Sequence, residues 1–108
     1  MNRKVYFTYT PTKDERCLIV PFDYENFPFS VEGGGSYNVA PARVLGLSYA
    51  DYLRFLRDSF PEQITLEGKG GYYVKPFWKF SPEMIKFIEL LNTKMNSEVD
   101  RIEKGLAQ

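Results

Sequence analysis

Histidine is missing from this 108-residue chain, and cysteine occurs once, at Cys17. Without histidine there is no imidazole metal ligand, no Ser–His or Cys–His nucleophile pair, and no ordinary general base near neutral pH. A lone cysteine excludes an intramolecular disulfide and fits a reducing compartment. Neither sign of charge is in excess: 14 basic and 14 acidic residues cancel, and they also cancel within residues 1–30, 31–60 and 61–108. No net field therefore recruits nucleic acid or membrane. No apolar run reaches transmembrane length, and Met1-Asn2-Arg3-Lys4 leads into alternating residues rather than a signal-peptide core. The expectation is a cytoplasmic protein of one domain, with no metal, no cofactor and no membrane partner. It leans away from enzymes, because the Tyr, Lys, Arg, Asp and Glu that remain carry no catalytic motif.

What is present is an ordinary hydrophobic share of 44% with a high aromatic share of 17%. The most strongly patterned stretch is the last quarter. Ser81 is an N-cap residue, Pro82 suits the first helical position, and Glu83 faces the positive end of the helix dipole. The pattern predicts a helix over residues 82–104, with Gly105 as its exit. Met84, Ile88, Leu91, Met95, Val99 and Ile102 fall on one narrow stripe at helical spacing. Ile85, Phe87 and Leu90 widen the apolar arc in the first half, whereas from Asn92 onward every position off the stripe is polar or charged. The first half therefore belongs to a core, and the second is expected to project. There, Leu91, Met95, Val99 and Ile102, flanked by Asp100–Lys104 and Glu98–Arg101 pairs, read as a seam for a second copy or another protein. The alternative is that the stripe packs on the chain's own sheet.

Upstream, residues 4–10 alternate, with Val5, Phe7 and Tyr9 on one face of a half-buried strand. Residues 17–22 form a second apolar run, which pairs with the first as a hairpin until Pro21 ends the ladder or marks an edge. Residues 21–47 are broken by Pro28, Gly33-Gly34-Gly35, Pro41 and Gly46, and read as one long loop. Its aromatics, among them Phe22, Phe27 and Tyr37, favour packing over disorder, with a short strand near Val39 or Arg43-Val44-Leu45; the alternative is a loop that orders only on a partner. Ser48 and Asp51 open a three-turn helix with Tyr52, Leu53, Leu56 and Phe60 at helical spacing, and Pro61 closes it. Residues 63–67, a turn at Gly68-Lys69-Gly70-Gly71 and residues 72–77 make a second hairpin. Pro76 confines its last strand to an edge. The fold class is α+β: a small, mostly antiparallel sheet of two hairpins, with one short and one long C-terminal helix.

Residues 68–80 hold Lys69, Lys75 and Lys79, five aromatics and no acid. As a strand they put Tyr73, Lys75, Phe77 and Lys79 on one face. That face suits single-stranded nucleic acid or a nucleotide phosphate, since bases stack on rings while lysines follow phosphates. The alternative is a strand with lysines at its rim. Gly33–Gly35, with Arg43 as a second contact, form a possible anion nest but lack a P-loop ending. Asp23 and Glu25 supply too few oxygens for a hard cation, and Cys17 beside Arg16 has no base to work with. The functional expectation is a small binding module. It would associate with itself or another protein through the C-terminal seam and recognise partners through the aromatic loop and hairpin, with nucleic-acid binding as the competing function.

Overall fold

Alternation of apolar and polar residues decides the first hairpin. In the computed structural model, which describes residues 4–23 and 39–107 apart from the side chains of Tyr72, Leu106 and Ala107, β1 (Phe7–Pro11) pairs antiparallel with β2 (Arg16–Pro21). Cys17, Ile19 and Pro21 are buried on one face of β2, while Arg16, Leu18 and Val20 lie on the other. Two short helices follow, α1 (Ala40–Val44) and α2 (Tyr49–Ser59). Then come β3 (Ile64–Glu67), β4 (Lys75–Lys79) and α3 (Pro82–Ala107). The strands form one antiparallel sheet in the order β1-β2-β4-β3. This is the expected α+β class, with the helices packed on the face that carries Phe7, Cys17, Ile19 and Trp78.

The two longer helices start as their caps dictate. Ser48 Oγ accepts from the Asp51 N–H at 3.2 Å, and Ser81 Oγ accepts from the Met84 N–H at 3.2 Å. Met84, Leu91 and Met95 of α3 are fully buried, as are Leu56 of α2 and Trp78 of β4. The aromatic excess settles largely here: Trp78 stacks on Phe87 with centroids 5.4 Å apart, and Phe60 lies 5.1 Å from Trp78.

Several expectations change. The stretch around Arg43 is a helix rather than a strand, because Pro41 sits in the first turn of α1, where proline is tolerated, between two alanines. Gly105 does not end α3, which continues to Ala107; only a left-handed glycine would stop it, and Gly105 has no positive φ. The last strand starts at Lys75 rather than Tyr72, since Gly71–Tyr73 close a 3-10 turn. Gly68, at φ 140°, makes that turn possible: a Cβ there would stand 2.3 Å from the Tyr73 carbonyl oxygen.

Pro76 lies in an interior strand, which local rules forbid and the ladder explains. Lys79 donates its N–H to Gln63 in the β3 direction at 2.7 Å. By alternation the nitrogens of Trp78 and Pro76 point toward β2. The β2–β4 ladder consists only of Arg16↔Lys79 and Cys17↔Trp78. The next hydrogen-bonded pair in that register would be Ile19 with Pro76, which has no proton to give. Pro21 points its nitrogen at the same gap, because the neighbouring Phe22 N–H goes to Tyr6 at 2.8 Å on the β1 side. Two prolines on facing edges thus end the ladder.

The N-terminal end departs from a simple strand. Val5, expected inside, is 56% exposed. Residues 4–7 instead run along α3, where two asparagines one turn apart hold their backbone. Asn92 Oδ1 accepts from the Tyr6 N–H at 2.8 Å and the Phe7 N–H at 2.7 Å, and its Nδ2 donates to the Phe7 carbonyl at 3.2 Å. Asn96 exchanges both bonds with Lys4, at 3.1 and 2.9 Å. A carboxamide offers the same donor and acceptor as a peptide group, so these side chains replace a neighbouring strand. Burial, followed by the charges of Glu103 and Asp100, pushes the Tyr6 hydroxyl pKa up.

Candidate functional site

On the face of the sheet opposite the helices, β4 presents Lys75, Phe77 and Lys79 in alternation while Pro76 and Trp78 turn inward. The register adds a residue from the other hairpin. Arg16 pairs across from Lys79, and its guanidinium lies 4.3 Å from the centroid of the Phe77 ring. Two carboxylates hold it there: Asp14, whose Oδ2 accepts from Arg16 Nε at 2.8 Å, and Glu67 on β3. Hydrogen bonds from Arg16 and Thr12 hold the Asp14 carboxyl down to about 2. Half-buried Leu18, Val20 and Phe77 occupy the middle of this face, and Arg16, Lys75, Lys79 and Glu67 carry its charges.

Of the residues singled out in the second hairpin, Lys75, Phe77 and Lys79 are therefore brought together. Tyr73 is not: it lies in the 3-10 turn and is 79% exposed. Lys69 is exposed at the tip of the same turn. Tyr37 and the Gly33–Gly35 nest lie outside the described residues. Arg43 instead lies in the last turn of α1, beside the middle of α3. Arg16 was missed as a site residue because its place beside Phe77 depends on strand register, which spans both hairpins.

The C-terminal seam takes a different form from the one its spacing suggests. Leu91 and Met95 are entirely buried in the chain's own core, Val99 packs half-buried against it, and only Ile102, at 43%, is exposed. The stripe is therefore largely a core stripe. Arg101 pairs with Glu98 as expected.

Cys17 is buried, and burial pushes its thiol pKa up, away from the reactive thiolate. Tyr52 is raised in the same way, by burial and then by Tyr49. Among the described residues, no cluster of three or more His, Cys, Asp or Glu could hold a metal ion, and no helix is long and apolar enough to cross a membrane. Trp78 Nε1 is the buried side-chain polar atom among them that lacks a hydrogen-bond partner. Comparison with protein families, curated proteins and solved structures finds no match for this chain.

Proposed function

We propose that this chain is a small binding module of the cytoplasm that works by associating with another protein through the face of its sheet opposite the described helices. The observation that carries the reading is the Arg16–Phe77 pair, set beside Leu18 and Val20 and bordered by charges of both signs. Aromatic and arginine side chains are the usual anchors of protein interfaces, and an apolar middle with a polar rim is their usual anatomy. Arg16 is pre-positioned by Asp14 and Glu67, so little ordering entropy is lost when a partner covers it. Self-association through the end of α3 is less well supported. Val99 and Ile102 offer far less than the roughly 1,200 Å² that a stable interface buries.

A second reading, single-stranded nucleic acid on Lys75, Phe77 and Lys79, is favoured by the alignment of those three side chains on one face. The acids Asp14 and Glu67 count against it, since a polyanion's footprint carries one sign of charge.

A photo-crosslinking phenylalanine analogue at position 77, activated in cells, tests both. Adducts with a defined protein that disappear with Arg16→Glu support the first reading. Adducts that are nuclease-sensitive and fall steeply with salt would replace it with the second. Crosslinks from position 102 and none from 77 would return the interface to α3.

A further inference from the structure

Away from the sheet, a groove of about 520 Å³ runs between the end of α1 and the middle of α3. The sequence builds it from both sides. Ala40, Pro41 and Ala42 are small and buried, so α1 sits close against the core and turns Arg43 outward. Gly46, at φ 72°, reverses the chain directly after the helix, and a Cβ there would meet nothing within 4 Å. On the other wall, Thr93, Lys94, Ser97 and Glu98 occupy adjacent turns of α3 and share one side of it.

Arg43, in this groove, differs from the other arginines of the described residues. Arg16, Arg54, Arg57 and Arg101 each hold a carboxylate. Among the described residues, Arg43 has none, and neither has Lys94. Glu98, the acid in the groove, is turned toward Arg101. Among the described residues, two cations without a carboxylate partner therefore line one concavity together with the hydroxyls of Thr93 and Ser97. A guanidinium, an ammonium and two hydroxyls are the donor set that a phosphate group accepts from. The carbonyls at the end of α1 do not oppose an anion strongly: Pro41, Ala42 and Arg43 already accept from the N–H groups of Leu45, Leu47 and Gly46.

We propose that this groove binds a phosphate ester of about mononucleotide size, its phosphate held between Arg43 and Lys94 and hydrogen-bonded by Thr93 and Ser97. The volume sets the size: pockets for small ligands run from roughly 300 to 1,000 Å³, and a bare phosphate would leave most of this one empty. Glu98, on the same wall, accepts from hydroxyls on the rest of the ligand. The site is separate from the sheet face, and neither depends on the other.

Amide NMR of the whole chain titrated with adenosine monophosphate, and separately with adenosine, tests it. Saturable shifts confined to residues 43–46 and 93–98 with the phosphate, and binding of adenosine at least about tenfold weaker, are expected. Arg43→Gln and Lys94→Gln, both at exposed positions, should each weaken binding about tenfold, while Lys75→Gln on the sheet leaves it unchanged. Equal binding of the nucleoside, shifts that map to the sheet lysines, or the absence of saturable shifts would each overturn the proposal. Loss of the crosslink at position 77 would bear only on the protein-binding role.

Discussion

The two polar flanks of α3 look alike on paper and do opposite things. On one flank Asn92 and Asn96 give their carboxamides to the backbone of residues 4–7, and on the other Thr93, Lys94 and Ser97 face an open groove. Both rows are uncharged or mixed polar residues, at the same spacing, on the same helix. The difference teaches that polarity on a helix marks hydrogen-bonding capacity, and that the capacity is met either by the fold or by something else. A row already met is structural. A row left open is available to a ligand.

Removing the met row should therefore hurt stability most. Asn92→Ala strips Tyr6 and Phe7 of an acceptor and the Phe7 carbonyl of a donor in a part-buried place. It should lower the unfolding free energy in urea by about 3 kcal/mol and speed amide exchange at Tyr6 and Phe7. A loss under about 0.5 kcal/mol would erase the distinction between the flanks. Asn96→Ala, at a more exposed position, should cost about 1 kcal/mol.

Trp78 sharpens the same contrast from inside the core, because its buried indole N–H has no hydrogen-bond partner among the described residues. Trp78→Phe removes ring volume but also removes that orphan donor, so the two effects oppose each other. The net change should stay within about 1 kcal/mol, well short of the roughly 3–5 kcal/mol of a large-to-alanine change at a buried aromatic. On the open flank, Thr93→Ala and Ser97→Ala should each move stability by no more than about 0.5 kcal/mol.

The smallest effect concerns Asp14. Its carboxyl should titrate near 2 by NMR, against an ordinary value of 3.8, and Arg16→Gln should move it back up. A depressed folded-state value means that the stabilisation is fully present above the unfolded value. It disappears as pH falls from about 3.8 through about 2. Because the group is exposed, the change in stability should be slight.

Much of this architecture was legible from local rules. Ser48 and Ser81 marked the starts of α2 and α3, and the stripe from Met84 to Met95 marked a buried face. The same spacing suggests a partner seam from Leu91 to Ile102, yet Leu91 and Met95 are covered by the chain's own core, since periodicity identifies a buried face without saying what buries it. Asn92 escaped notice because its partners are 85 and 86 residues away. By local rules Pro41 reads as a breaker and Pro76 as the mark of an edge strand, yet one opens a helix and the other lies in an interior strand, past the end of the ladder with β2. Of the sheet site, Lys75, Phe77 and Lys79 followed from alternation alone. Arg16 did not, because it arrives through pairing between two hairpins.

Asn92 also bears on how the molecule behaves when crowded. The outer rim of β1 is a row of peptide groups that another chain could extend into a fibre. Asn92 occupies that rim at Phe7, and Pro11, at the far end of β1, has no proton to offer. The side chain that holds the N-terminal segment in place is thus also a stopper against polymerisation.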